Sequence, residues 1–214
     1  MITIILTSTV YVNYKKICLV QTNPSERLQT YLKSIHQWLR KTQFHIILVE
    51  NSGYTFPELE NEKILYKHRF EVITLNETNE PSSSRFNISK GSSEIFSINY
   101  AFKKSSMIQN SSFIIKITAR FFIPELEEYL NQYDLDAYDS LTQHDKDRCE
   151  MVGCHYNMFT TIFNIYMFDI KKYNGHIEDL WKLRTSKCKN VFVCKPLYIE
   201  PTVRGGMNEV YTVI

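Results

Sequence analysis

Short apolar runs alternate with helix-period segments along the first 120 residues, and this alternation restricts the fold more than any other property of the chain. Residues 2–12 are rich in Ile, Thr and Val and read as a strand. From Ser25-Glu26-Arg27-Leu28 a helix starts, with Leu28, Tyr31, Leu32, Ile35, Trp38 and Leu39 recurring at helical spacing. His45–Glu50 is a second apolar strand, stopped by the turn cluster Asn51-Ser52-Gly53. A weaker helix is expected over 57–63, a strand over 70–75, and a long polar loop over 76–89. A helix carrying Ile95, Ile98, Ala101 and Phe102 follows, then a strand over 113–117. The order β-α-β-α-β-α-β predicts a mostly parallel sheet covered by helices on both faces.

The remainder is less regular. Pro124–Leu130 reads as a short helix, 137–142 and 160–168 as strands, 177–183 as a helix and 191–199 as extended chain. No repeat or Gly/Ser linker divides the sequence, so a single domain, 1–214, is expected, with a smaller lobe built from 121–214. The apolar fraction of 43% suffices for one core, and a net charge of +2 gives no global field for nucleic acid or membrane. No run reaches the roughly 18 apolar residues of a membrane span. Ile2–Tyr11 lacks the basic leading region of a signal segment. Five loosely spaced cysteines read as reduced thiols, not a zinc site, in a cytoplasmic protein (host cytoplasm, were the source viral).

Chemistry concentrates where strands end. In an open α/β sheet, ligands sit beyond the carboxyl ends of the strands. Phe113–Phe122 delivers Lys116 and Arg120 there, and Lys90-Gly91-Ser92-Ser93-Glu94 opens the preceding helix as a glycine turn. Two cations and a helix amino terminus suit a diphosphate. Lys116 lies inside an apolar strand, where an unpaired ammonium is expensive, so it meets either Glu94 or a phosphate. Gly91 fits an anion-binding helix start or an ordinary turn capped by Ser92 or Ser93. Asn51 and Ser52 fit base or ribose contact, or turn chemistry.

These segments together resemble a nucleotide-sugar-dependent glycosyltransferase of the GT-A fold. The first strand, the Arg27–Trp38 helix and Val49–Gly53 match its nucleotide-binding half, residues 1–120. Lys90–Glu94 matches its Gly-containing turn, and Phe113–Arg120 the strand that ends in an Asp-x-Asp motif. The Lys-Gly-x-x-Glu segment and the strand end Lys116-Ile-Thr-Ala-Arg120 are most similar to small glycosyltransferase-like proteins of bacterial and large-virus surface-glycan loci. The resemblance implies an α/β, GT-A-like fold, a nucleoside-diphosphate sugar donor and a glycan acceptor. It implies donor contacts from Thr7, Asn51, Ser52, Lys90, Gly91, Glu94, Lys116 and Arg120, with Arg204 folding over the donor site. Glu178-Asp179-Leu-Trp181 is similar to the acidic pair that serves as base in family-2-like enzymes, with Asp179 the first choice and Trp181 a sugar platform. His155 and Tyr156 are expected at acceptor hydroxyls.

One departure bears on the cofactor. Thr118-Ala119-Arg120 stands where Asp-x-Asp would hold a divalent metal. Fixed cations can do the same electrostatic work, so transfer with no required cofactor is expected, with Mn²⁺ or Mg²⁺ as the alternative. Asp134-Leu135-Asp136 reads as a solvated loop. Two rivals stand beside this reading. A nucleotidyltransferase would want a glycine-rich loop after the first strand, and Thr7–Tyr11 has no glycine. A non-catalytic sugar- or nucleotide-binding module draws support from the missing metal motif.

Overall fold

The structure is a computed structural model and describes residues 1–12, 20–79, 89–145, 147–164, 176–204 and 208–214. Four parallel strands form its centre: β1 (Ile2–Ser8), β2 (His45–Glu50), β3 (Phe70–Thr74) and β4 (Phe113–Thr118). The sheet continues through β6 (Met151–His155), antiparallel to β4, then β5 (Ser140–Thr142) and β7 (Val191–Val193), in the order β3-β2-β1-β4-β6-β5-β7. It therefore runs unbroken across residue 120. A separate hairpin of β8 (Tyr198–Val203) and β9 (Val210–Val213) completes the strands.

Helices lie on both faces, as the alternation requires. α1 (Pro24–Lys41) packs Tyr31, Ile35 and Trp38 against Ile4, Leu6 and Ile115, with the hairpin residue Tyr211 in the same cluster. α3 (Lys90–Lys104), α5 (Phe159–Ile162) and α6 (Ile177–Ser186) cover Ile5, Ile47 and Ile114 on the other face. Two short helices, α2 (Glu60–Leu65) and α4 (Leu126–Leu130), fill connections. Side chains alternate across a strand, so Phe113, Ile115 and Ile117 face α1, while Ile114 and Lys116 face α3 and α6.

Local chemistry sets the helix starts. Asn23 caps α1, accepting from the Ser25 and Glu26 N–H groups, with Pro24 in the first turn. Ser89 caps α3 in a capping box with Ser92, so the cap precedes the residues the sequence suggested, and Gly91 lies inside the first helical turn.

Two expectations for the second half need correction. Residues 159–162 form a helical turn instead of a strand, because Phe159 stacks on Phe102 at 3.6 Å and Phe163 meets Trp181 edge-on; 165–168 lie outside the described residues. Met151–His155, unassigned by periodicity, is a central strand. Its Gly153 lets β6 approach β4 closely, since a Cβ there would stand 3.0 Å from the Ile114 carbonyl oxygen. Cys149, Cys154, Cys188 and Cys194 are free thiols. No described helix is long and apolar enough to cross a membrane.

Candidate functional site

The carboxyl ends of β1, β2 and β4 open on one edge of the sheet. β6 runs the other way, so its Met151 end, beside Glu150 and Cys149, meets the same edge. The amino ends of α1 and α3 project onto this edge and bring Arg27 and Lys90 with them.

Lys116 does not reach outward to this edge. It is 1% exposed, and its ammonium binds Glu94 Oε1 at 2.7 Å and the Cys149 carbonyl oxygen at 2.8 Å. Thr7 Oγ1 donates to the same Glu94 oxygen at 2.7 Å. Burial alone would depress the Lys116 pKa, but the Glu94 carboxylate outweighs it and holds the ammonium above its usual range. Of the two readings of Lys116, the structure selects the ion pair. Thr7, Glu94 and Lys116 form an internal bridge joining β1, α3 and β4, and its parts are consumed by one another.

Arg120 differs. It is buried, yet its contacts are Nη1 to Gln21 Oε1 at 3.3 Å and to the Val203 carbonyl oxygen at 3.4 Å, with no carboxylate partner among the described residues. The pKa of Lys90 is lowered, first by loss of hydration around its ammonium and then by Arg120, with Arg27 and Arg204 adding repulsion against the opposing pull of Glu94. By accessible surface Lys90 is an exposed residue. Arg27 is 4% exposed and donates to the Thr9 and Gln21 carbonyl oxygens and to the Tyr31 hydroxyl. Its pKa is lowered by burial and by Arg120, against the pull of Tyr31. Arg204, on the hairpin, pairs with Glu209 at 3.8 Å.

Arg27 and Arg120 thus meet at Gln21, with Lys90 within electrostatic reach of both, while Arg204 is paired with Glu209 and two nearby acids have other partners. Glu94 holds Lys116. Glu50, buried at the end of β2, accepts from the Val10, Ser52 and Tyr54 N–H groups, and burial raises its pKa. Like charges packed this way raise the free energy of the empty site and favour an anion.

Asn51 and Ser52 serve the turn. Thr9 Oγ1 donates to Asn51 Oδ1 at 2.7 Å and the Tyr11 N–H to Ser52 Oγ at 2.9 Å. With Gly53 at φ +91°, a backbone that glycine tolerates best, these contacts fix the loop after β1. Tyr11, 53% exposed and edge-on to Tyr54 at 5.7 Å, is left as an open aromatic face beside the cleft.

The second-half residues divide. Glu178 lines a cavity of about 430 Å³ with Cys149 and Trp181, whereas Asp179 is exposed outside that lining. His155 and Tyr156 are not brought to the cleft. His155 pairs with Phe113, the first residue of β4, which puts both at the opposite edge of the sheet. Asp134 and Asp136 are exposed in the turn before β5, also toward that far edge, with Asp134 accepting from the Asp136 N–H.

Thr118-Ala119-Arg120 offers one hydroxyl and a cation, and no three His, Cys, Asp or Glu side chains converge among the described residues. Arg27 escaped the sequence reading although a signal existed: an arginine in the apolar stripe of α1, one turn before Tyr31. Tyr11 carried no such signal, because its exposure depends on the turn.

No protein-family model matches the chain, and no curated protein is similar in sequence. Solved structures do share its fold. One is a candidate nucleotide-diphospho-sugar transferase from Desulfovibrio desulfuricans G20, 14% identical over 90% of this chain and 79% of its own, with a TM-score of 0.50. A cytidylyltransferase from Leptospira borgpetersenii serovar Hardjo-bovis is 13% identical over 90% and 75%, with a TM-score of 0.51. The glycosyltransferase GlyE of Streptococcus pneumoniae TIGR4 is 8% identical over 90% of this chain and 45% of its own, with a TM-score of 0.56. At such identities the fold is what is shared. The chain is an α/β protein of GT-A-like fold, a mostly parallel seven-stranded sheet flanked by helices.

Proposed function

We propose that this chain is a glycosyltransferase moving a sugar from a nucleoside-diphosphate donor to a glycan acceptor. The observation that carries the reading is the meeting of Arg27 and Arg120 at Gln21, with Lys90 within electrostatic reach, at the carboxyl edge of a GT-A-like sheet. Arg120 presents a planar fork to the diphosphate, and Lys90 adds a point charge. As the bond from the anomeric carbon to the diphosphate breaks, negative charge grows on the leaving oxygen, and cations already in position stabilise it without reorganising. Transfer then requires no divalent metal. In an inverting reaction the acceptor oxygen bonds the anomeric carbon and its proton passes to a carboxylate. Glu178 takes that role in preference to Asp179, because it borders a cavity that reaches Cys149, the neighbour of Lys116.

The nucleotidyltransferase reading is disfavoured by a specific feature. Cradling a triphosphate after β1 needs free backbone N–H groups. Here those of Thr9, Val10 and Tyr11 donate to Tyr31, Glu50 and Ser52. The test is incubation with UDP-, GDP-, CMP- and dTDP-sugars in EDTA, with release of free nucleotide as the readout. Release in EDTA is the expected result. Release only after Mn²⁺ addition would overturn metal independence, and nucleotide binding without release from any donor would favour a non-catalytic binding module.

A further inference from the structure

Gln21 holds both arginines of the cleft at once. Its main-chain carbonyl oxygen accepts from Arg27 Nη1 at 2.9 Å, and its side-chain Oε1 accepts from Arg120 Nη1 at 3.3 Å. Gln21 stands just before Asn23, the cap of α1, and Arg27 lies near the start of that helix. The chain entering α1 is therefore folded back on the helix it opens, with the Arg27 N–H bonded to the Asn23 carbonyl oxygen at 3.1 Å. Arg27 is buried with each guanidinium nitrogen engaged: Nε on the Thr9 carbonyl oxygen at 2.6 Å, Nη1 on Gln21 and Nη2 on the Tyr31 hydroxyl at 2.7 Å. A run of contacts thus leads from the loop after β1, through Arg27 and Gln21, to Arg120 at the end of β4.

The two arginines share Gln21 but are left in different states. With a partner on every nitrogen, Arg27 has little of its fork to offer a ligand. Arg120 is tied through Nη1 alone, to Gln21 and to the Val203 carbonyl oxygen at 3.4 Å, and its Nε and Nη2 have no partner among the described residues. Those two nitrogens form one flat edge of the guanidinium, and parallel N–H bonds from such an edge are how arginine meets a phosphate. Both acceptors on Nη1 are neutral amide oxygens, so they orient the group without cancelling its charge. A carboxylate in place of the Gln21 amide would orient and neutralise it together. Arg27 and Arg120 repel each other, and a shared neutral residue holds them side by side with both charges kept.

We infer that Gln21 is a positioning residue: it fixes the Arg120 guanidinium by one corner, so that the Nε–Nη2 edge is presented to a phosphate. This role presupposes the diphosphate reading of the cleft and adds a division of labour to it. Arg120 makes the contact, Gln21 aims it, and Arg27 anchors Gln21 by its backbone. Orientation set in advance spares the ordering cost that a free arginine incurs on binding. Two kinds of side chain fail at this position for physical reasons. An apolar one leaves Arg120 free to turn, and an acidic one occupies it as an internal anion.

Titration calorimetry with inorganic pyrophosphate at low ionic strength tests this on the wild type, Gln21→Met, Gln21→Glu, Arg120→Ala and Gln21→Met/Arg120→Ala. Gln21→Met keeps the side-chain length and loses the acceptor, and should weaken binding by about three- to tenfold, the scale of one net hydrogen bond. In the Arg120→Ala background the same change should have no effect, because nothing is left to aim. Gln21→Glu should weaken binding more than Gln21→Met does. It should also raise the melting temperature of the ligand-free protein, with both effects shrinking as salt rises. Equal weakening by Gln21→Met with and without Arg120 overturns the role, since a purely structural contribution does not depend on Arg120. Unchanged affinity in Gln21→Met, or wild-type affinity in Gln21→Glu, overturns it as well. Should Arg120→Ala fail to fold or to bind measurably, Arg120→Lys is the second background, with the charge kept, the flat edge gone and the same loss of coupling expected. A wild type that binds no pyrophosphate overturns the diphosphate reading and the role together. Pyrophosphate bound with the expected coupling, but no nucleotide released from any sugar donor, removes the glycosyltransferase reading alone.

Discussion

Replacing Arg120 with Ala probes the cleft most directly. Arg120 has five N–H donors. Its described contacts use Nη1 alone, at 3.3 Å to Gln21 and 3.4 Å to Val203, both long for hydrogen bonds. Nε and Nη2 have no partner among the described residues, so a bidentate pair is available to phosphate oxygens without first breaking an ion pair. Counting the net loss as that of one hydrogen bond to a charged group, about 1.5–3 kcal/mol, Arg120→Ala should weaken nucleoside diphosphate binding by roughly 12- to 140-fold. Arg120→Lys keeps the charge but loses the fork, and should fall between the two. Titration calorimetry at fixed ionic strength measures both, with Lys182→Ala as a control because Lys182 pairs with Asp147 away from the cleft. The wild-type affinity should also fall as salt rises, since charge dominates the contact. Unchanged affinity for Arg120→Ala would refute the diphosphate assignment, because no other described group offers two uncommitted donors at the end of β4.

Three further outcomes follow from the same geometry. Lys116→Met strands Glu94, whose side chain is 20% exposed, and should cost about 3 kcal/mol, the lower end for a broken buried pair. Urea unfolding should show Lys116→Met/Glu94→Gln recovering part of that loss, and simple additivity of the two single changes would dismiss the pair. Lys90 has a folded pKa below its ordinary 10.5, so its penalty is fully present below the folded pKa and is relieved as pH rises toward 10.5. Lys90→Gln should therefore raise the melting temperature of the ligand-free protein near neutral pH, with the gain fading in alkali; a pH-independent gain would point to packing instead of charge. Glu178→Gln should lower kcat by about 100-fold or more with donor affinity intact, as loss of a general base does, while Asp179→Asn stays within about twofold. The reverse order would return the role to Asp179.

The first four strands and the helices between them were legible because their signals are local. Ile4 and Leu6, or Leu32, Ile35 and Leu39, announce their periods within a few residues. Tyr31 and Trp38 on α1, and Ile95 and Ile98 on α3, pack where those periods point. β6 was missed because five residues with a central glycine carry little periodic signal, and 160–168 misled because Phe159, Ile162 and Phe163 satisfy more than one pattern.

The candidate site was legible in its chemistry and illegible in its assignments. Arg120 and Lys90 could be named from position alone, since both follow or precede an element that ends at the ligand edge. His155 was assigned to the wrong edge because nothing in Met151–His155 states that the strand runs antiparallel. Lys116 could be narrowed to a carboxylate or a phosphate, but not decided between them.

By itself, then, the amino-acid order determined a parallel α/β core and a set of cations aimed at one end of it, because backbone period and apolar spacing are near-neighbour properties. Tertiary structure alone decided that Glu94 captures Lys116, that Arg27 joins Arg120 and Lys90, and that Glu178 rather than Asp179 borders a cavity. The physical reason is distance. Ion pairing and cation crowding depend on separations of a few ångströms between residues far apart in the chain, and strand order and direction set those separations.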